Sequence, residues 1–496
     1  MKNMSLYLSK SKFCNAVQCP KMLWLHKNKP EEFDESALNQ NVLETGNEVG
    51  DLAMGLFGDF TEVAFGDLSD MLSETERLIN EGVAIIAEAS FSLDGLFCSV
   101  DILKNKGNNH VEIYEVKSST ELHEIYIHDA AYQQYVLTGL GYKVDKVSVV
   151  HINPHYVRHG ELDLNEFFVI EDVKSRTDAL QYGIRDFLPE LELIMSSNRE
   201  PDMEVDFHCN KPYKCGYFDY CTGRLSHPNV FDINRMKFDT KVKLFNEGKY
   251  YFNELVKCKE IKGNQRLQVE SHLTGKTEIN KKEISGILSS LSFPLYFLDF
   301  ETFQEAVPPF DFTTPYEQIP FQYSLHWLES ADGELKHTEF LAEAGVDPRR
   351  ALAEKLCADI PLNVCTTAYN MSFEKNVIKK LAEIYPDLSS HLMNIHNSIQ
   401  DLMIPFSKKY YYLPEMQGSY SIKYVLPALY PNEPSLDYHN LEGVQKGDQA
   451  ARAFSAMKRM SPDEVAFTRK SLLAYCKLDT FAMVKLWEKL TWTAKE

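Results

Sequence analysis

The sequence has no apolar run long enough to cross a membrane. Its longest runs, such as Val83–Ala87, fall far short of the roughly 20 residues a bilayer demands. The N-terminus, MKNMSLYLSKSKF, lacks the apolar centre of a secretory signal. Both absences lead us to expect a cytoplasmic protein with no membrane partner. No two of the ten cysteines lie closer than five positions in sequence. In a reducing compartment they are expected as thiols or metal ligands, not disulfides. Internal repeats and low-complexity tracts are missing too. Positive charge is scarce: 52 Lys and Arg face 72 Asp and Glu, a formal net charge of −20. This argues against diffuse attraction to nucleic acid but leaves room for a local basic track. From Arg235 to Lys282 the balance reverses. Twelve Lys or Arg stand there against six acids, interleaved with Phe245, Tyr250, Tyr251 and Phe252. The stretch reads either as a nucleic-acid path or as a solvated helical connector.

A chain of 496 residues exceeds one hydrophobic core. Its patterning divides it into residues 1–225, 226–290 and 291–496. In the first part, SFSLDGLFCSVDIL and HVEIYEVKSS alternate as paired strands do, and KNKGNNH supplies turn residues between them. DAAYQQYVLTGLGYKV reads as a helix closed by Gly141, followed by the strand KVSVVHIN. Residues 226–290 are polar and basic with weak helical periodicity. The last part begins with three strands, PLYFLDFETF, IPFQYSLHWLES and LKHTEFLAEA. DPRRALAEKLCADI is expected as a helix with an Asp cap, NVCTTAYN as a strand, and SFEKNVIKKLAEIY as a helix capped by Ser372. A long final helix begins at SPDEVAF.

PLYFLDFETF poses a chemical problem. Asp299 and Glu301 sit two apart on a strand, so they share one face. Buried carboxylates side by side need a positive partner. A divalent ion with oxygen ligands supplies one, and two such ions cleave phosphodiesters. Further acids lie in suitable contexts: Glu374 opens a helix after a strand, and Asp479 lies in the final helix. Tyr475, four residues before Asp479, shares its face and could orient an attacking water. Asp401 is a second-tier acid. FLDFET, YNMSFEK and YCKLD, in this order, resemble the three exonuclease motifs of the DnaQ-like family, in its tyrosine-bearing subtype. The resemblance implies an RNase H-like fold and two-metal 3′→5′ exonuclease chemistry with Mg²⁺ or Mn²⁺. Asp299, Glu301, Glu374 and Asp479 are its implied ligands. Glu374 stands where that family usually carries Asp.

The N-terminal part repeats the theme. Asp101 lies near a strand end, and Glu115 and Lys117 share a face of the next strand. An Asp and a Glu can hold a metal ion while a lysine positions water or stabilises charge on phosphate. The order resembles the PD-(D/E)XK nucleases, which implies a restriction-endonuclease-like α/β domain with metal at Asp101 and Glu115. Cys209, Cys215 and Cys221 repeat at a spacing of six positions, and Cys19 lies far upstream. The late trio lacks the C-x₂₋₄-C pairs usual in structural zinc sites. A [4Fe–4S] cluster takes four thiolates and accepts distant ones. A zinc staple and unligated thiols are the alternatives. Cys14 reads as a packed small hydrophobe. One early and three late cysteines resemble the iron–sulfur nucleases, namely the AddB type and the CRISPR-associated RecB-like exonucleases. Those families carry an N-terminal active-site histidine, where this chain reads TGNEVGDLA, with Gly50 near that position and Glu44 or Glu48 as substitutes. Their Gln-x-x-x-Tyr motif is blurred here to YQQYVL.

The chain as a whole is similar to bacterial proteins that join a RecB-like domain to a DnaQ-like one. The resemblance implies a metal-dependent nuclease acting on DNA, on single strands or 3′ ends, in repair, recombination or defence. RNA stays open as a substrate, and so does a chain in which only the C-terminal site turns over.

Overall fold

The computed structural model describes residues 7–37 and 40–496, except the side chains of residues 40–44. It is a mixed α/β structure, and tight turns organise its first sheet. Strands β1 (Leu8–Ser9) and β2 (Thr61–Glu62) are short. Strand β3 (Ile85–Leu93) returns as β4 (Leu96–Gly107) through Asp94–Gly95, whose φ angles are 47° and 87°. Strand β4 returns as β5 (His110–Lys117) through Asn108–Asn109, with φ of 52° and 61°. Two-residue hairpins of this twist need positive φ at both central residues, which Asn, Asp and Gly tolerate. SFSLDGLFCSVDIL is therefore not one strand. Its Asp-Gly pair is a turn, and the expectation is corrected there.

Helix α1 (Lys10–Gln18), α2 (Lys21–Asn28), α3 (Gln40–Met54) and α4 (Leu68–Asn80) precede the hairpins. After β5, helix α5 (Glu124–Gly139) crosses to β6 (Lys143–Ile152), which lies parallel to β5. Parallel neighbours require such a crossover. Gly141, at φ 92°, closes this helix as its position predicts. Strand β7 (Phe168–Asp172) and helix α6 (Lys174–Ser196) follow. The sheet order is β2-β3-β4-β5-β6-β7, with β1 pairing β4. Phe13, Val100, Tyr132, Val147 and Leu191 are in its core.

The second sheet is built from β9 (Leu295–Phe303), β10 (Ile319–Leu328), β11 (Lys336–Leu341), β12 (Cys365–Ala368) and β13 (Ile399–Asp401). Before it comes β8 (Glu278–Ile279), which pairs with β14 (Tyr411–Tyr412). The order is β11-β10-β9-β12-β13, and only β10 runs against the rest. Helices α7 (Arg349–Asp359), α8 (Met371–Ile384), α9 (Pro386–Ser398), α10 (Ile422–Leu429), α11 (Gly447–Ala456) and α12 (Pro462–Lys495) complete this part. The three expected strands and the long final helix are present. Two caps differ. Helix α7 is capped by Pro348, with Asp347 one residue earlier accepting the Arg349 N–H at 3.1 Å. Helix α8 starts from Asn370 at φ 75°, so Ser372 lies inside it. Asn adopts that left-handed conformation more readily than most residues.

The chain divides into two compact units. The first takes in residues up to 226, with 242–247 and 305–316. The second takes in 227–241, 248–304 and 317–496. Within the stretch 235–282, ten of the twelve basic residues are exposed, but Phe252 is buried, so its ring is core and not a stacking surface. Among the described residues, no helix is long and apolar enough to cross a membrane.

Strand β10 fixes where α12 lies. Ser324 pairs with Asp299 and Gln322 with Glu301 across the ladder, so these four side chains share a face. On that face Gln322 Nε2 donates to the Leu472 carbonyl at 2.8 Å. The Thr480 hydroxyl shares hydrogen bonds of 2.7 Å with both Ser324 Oγ and His326 Nδ1. The four polar residues Gln322, Ser324, His326 and Thr480 are fully or nearly buried, where a lost partner is costly. Thr480→Val keeps the shape and removes both bonds. It is expected to lower stability by roughly 1–3 kcal/mol, read from the midpoint of a urea unfolding curve.

Candidate active sites

The second unit brings Asp299, Glu301 and Asp479 together. One carboxylate oxygen from each lies within 4.8 Å of the other two. Strand period puts the first two on one face, and the polar face of β10 holds α12 against it with Asp479 inward. The Tyr438 hydroxyl donates to Asp479 Oδ1 at 2.6 Å. Lys423 Nζ donates to the Tyr475 hydroxyl oxygen at 3.2 Å. The Cys476 thiol lies 3.8 Å from Asp299 Oδ2. Burial, then the neighbouring charges of Asp479, Glu301 and Glu374, hold the Asp299 carboxyl well above the usual range. Glu301 is raised by burial and by Asp479, and Lys423 offsets part of this. Asp479 is raised by burial to about 6, against the hydrogen bond from Tyr438. Burial pushes the Tyr475 hydroxyl strongly upward, so it stays neutral.

Glu374 is 2% exposed, and burial lifts it to about 8. It is not one of the three acids within 4.8 Å, but its charge reaches Asp299 and Glu301. Its buried Oε2 has no hydrogen-bond partner. Asp401 accepts the N–H groups of Asn370 and Met403 at 3.2 and 2.9 Å, so it anchors the turn before α8. Four carboxylates with one lysine, an orphan oxygen and only oxygen donors fit a hard divalent ion such as Mg²⁺ or Mn²⁺. Sequence reasoning missed Tyr438 and Lys423. They come from loop and short-helix segments without a spacing rule, and only the fold brings them in.

In the first unit the acids already have cations. The ladder pairs Ile102 with Tyr114, so the next step sets Asp101 opposite Glu115. Lys10 Nζ donates to Asp101 Oδ1 at 3.1 Å and to Glu115 Oε1 and Oε2 at 3.0 and 3.1 Å. Lys117 Nζ donates to Glu115 Oε1 at 2.6 Å and to Asp129 Oδ2 at 2.7 Å. Gln133 Nε2 donates to Glu115 Oε2 at 2.6 Å. The Val116 N–H donates to Asp101 Oδ2 at 2.7 Å. Every oxygen of Asp101 and Glu115 therefore accepts a hydrogen bond, three of the four from ammonium groups. This arrangement does not fit a divalent ion beside those acids. Asp101, Glu115 and Lys117 converge as their spacing suggested, while Lys10, Asp129 and Gln133 were not foreseen. Gln133 comes from the blurred YQQYVL segment. Glu48 is exposed on α3, and the side chain of Glu44 lies outside the described residues.

Cys19, Cys209, Cys215 and Cys221 line one pocket with Lys21 and Met22. Burial and the other three sulfurs push the Cys215 thiol up to about 12. Burial raises Cys221 to about 11. The backbone N–H groups of Lys21 and Met22 offset part of the rise at Cys19, and that of Tyr217 part of the rise at Cys215. Among the described residues, no three of these sulfurs come within 4.8 Å of one another. Four convergent thiols whose thiolate forms are disfavoured without a cation fit a metal or cluster. Cys98, Cys365 and Cys476 are buried, and Cys258 and Cys357 are half-buried.

Residues 296–421 match a family model described as a domain of unknown function, DUF2779. That span covers Asp299, Glu301 and Glu374 but stops before Tyr475 and Asp479. The chain is similar to a protein of Ureaplasma parvum serovar 3 (strain ATCC 700970) named as the uncharacterized protein UU173. The two are 25% identical over 166 residues, which are 31% of this chain and 24% of that protein. The match thus spans about a quarter of the relative's length. No solved structure matches the chain.

The raised carboxyls set a pH dependence. Acids with folded pKa above the unfolded value, near 4, keep protons the unfolded chain has released. Metal-free protein therefore loses stability as pH rises from about 4 through the raised values of Asp479, about 6, and Glu374, about 8. Bound cation removes this penalty and releases protons. The rise in Tm on adding Mn²⁺ is expected to be larger at pH 8 than at pH 6. Calorimetry in buffers of different ionisation heat should detect the released protons. Asp299→Asn should raise the Tm of metal-free protein at pH 8, worth roughly 1–2 kcal/mol, and shrink the Mn²⁺ effect.

Proposed function

We propose that the second unit is a metal-dependent 3′→5′ exonuclease of the DnaQ-like type on an RNase H-like fold, acting on DNA. The observation that carries this reading is the convergence of Asp299 and Glu301 from the central strand with Asp479 from the last helix, all within 4.8 Å. The order β11-β10-β9-β12-β13, with β10 alone reversed, supports the fold assignment. Asp299, Glu301, Asp479 and Glu374 would hold Mg²⁺ or Mn²⁺. Such ions supply an activated water and stabilise the leaving oxygen. Bare carboxylates would repel a phosphodiester, so the cation is also the condition for substrate binding.

The chain's own residues hold the geometry. Lys423 donates to the Tyr475 oxygen, which leaves the tyrosine proton free for a carboxylate or a water. Since Tyr475 stays neutral, its part is orientation of the attacking water and not proton abstraction. Tyr438 fixes the Asp479 carboxylate by a direct hydrogen bond. The hairpins and the β5–α5–β6 crossover support a PD-(D/E)XK-like reading of the first unit. Its four thiols are proposed to hold a [4Fe–4S] cluster. Tetrahedral zinc with bonds of about 2.3 Å would set all four sulfurs about 3.8 Å apart, whereas among the described residues no three of them lie within 4.8 Å of one another.

The test uses 5′-labelled single-stranded DNA and RNA with Mg²⁺ or Mn²⁺. Stepwise shortening from the 3′ end is expected on DNA. Asp299→Ala should lower the rate roughly 10⁴-fold, and Tyr475→Phe roughly 10²-fold. Shortening of RNA alone would move the substrate to RNA. No metal-dependent shortening of either, or shortening untouched by Asp299→Ala, would overturn the reading. For the cluster, protein purified without oxygen should contain iron and acid-labile sulfide, both lost in Cys215→Ser. Zinc without sulfide would replace the cluster by a zinc staple.

A further inference from the structure

We propose that Lys10 is a tethered cation that keeps the first unit's acid site closed to divalent metal. The inference rests on reading that unit as a nuclease-like fold. Lys10 Nζ sits 3.1 Å from Asp101 and 3.0 Å from Glu115. A divalent ion bound to both carboxylates would stand about 2.1 Å from each, in the same space. Ammonium and ion cannot share it, so metal can enter only when the lysine leaves.

The lysine is placed there by the fold. It is the first residue of α1, directly after β1. Strand β1 is bonded to β4, the strand that carries Asp101, with Leu8 opposite Leu96 and Ser9 opposite Phe97. The Ser9 side chain caps α1, and the Tyr132 hydroxyl donates to the Leu8 carbonyl. The backbone at Lys10 is therefore held from both sides. Its side chain is 22% exposed, so rotation about its own bonds can carry the ammonium out to solvent.

Charge separates the two sites. The second unit gathers four carboxylates, and Lys423 offsets part of the charge of two of them, Glu301 and Asp479. The first gathers Asp101, Glu115 and Asp129 around Lys10 and Lys117. A fourth acid, Glu88, stands in register with Asp101, because the ladder pairs Ala87 with Ile102 and Ala89 with Val100. Glu88 has φ 55° in the middle of β3, and the ladder is interrupted at it. A non-glycine residue held in that region costs roughly 1–3 kcal/mol and tends to mark a functional position. Like charges directly opposite across strands destabilise a sheet, and Lys10 is the cation that makes the row Glu88, Asp101, Glu115 tolerable.

The test counts Mn²⁺ bound to the full chain by equilibrium dialysis and electron paramagnetic resonance. Asp299→Ala with Asp479→Ala removes the second-unit site. This double variant is expected to bind no Mn²⁺. Adding Lys10→Met should create about one bound Mn²⁺ per chain, lost again with Glu115→Gln. Lys10→Gln, which keeps a donor without the charge, should give the same gain and serves if Lys10→Met melts early. Mn²⁺ retained by the double variant and removed by Asp101→Asn would overturn the proposal while keeping the nuclease-like reading. No gain in either Lys10 variant would overturn both. Cleavage by the unmutated protein tests the second unit separately.

Discussion

Carboxylates taken out of water need a cation, and both candidate sites are organised around that demand. At an effective dielectric of about 20, two charges 4.8 Å apart repel by roughly 3 kcal/mol. Asp299, Glu301 and Asp479 form three such pairs, roughly 10 kcal/mol if all are ionised. A whole domain is stable by only about 5–15 kcal/mol. The fully ionised trio is thus not tolerable alone, and the site answers by keeping protons, raising every one of these acids. Lys423 offsets part of the charge of Glu301 and Asp479. The remainder is the charge that a divalent ion would answer in the proposed reading.

The trio can form only because α12 is held in one position. Its register is not set by apolar packing alone, which tolerates rotation and sliding. Gln322, Ser324 and His326 point the same way as the acids of the neighbouring strand and bind Leu472 and Thr480. Asp479 is the residue before Thr480, so the bonds that satisfy β10 also aim the third carboxylate. Function and stability meet there, since the polar face that looks misplaced in a buried strand is what locates the acid.

The sequence made some of this legible and hid the rest for physical reasons. Asp299 and Glu301 could be read because strand period fixes two neighbours on one face. Tyr475 and Asp479 could be read because helix period does the same. Glu374 was foreseen as a ligand that departs from the usual Asp, and it stands apart from the tight trio with an orphan oxygen. The extra methylene relative to Asp changes its reach in a way no spacing reveals. The Asp94–Gly95 turn was locally visible but was passed over within an alternating run. The cap at Asn370 depends on a left-handed backbone that competes with Ser372 only in three dimensions. Lys423, Tyr438 and Lys10 lie far in sequence from what they touch, so periodicity carries no information about them.

Lysine and divalent metal are two answers to the same electrostatic problem, and they differ in consequence. An ammonium is a single charge on a flexible stem, with three directed donors and no capacity to polarise a bound water strongly. A divalent ion doubles the charge and, by lowering the pKa of its water, supplies a nucleophile. An acid site neutralised from within can be stable and still leave a phosphate contact to its lysines, which are the right groups for that purpose. A site left short of positive charge is costly until metal and substrate arrive. On the reading proposed above, the chain would carry both solutions on two different sheets. The side on which hydrolysis is sought is the one where the protein's own cation, Lys423, offsets only part of the acids' charge.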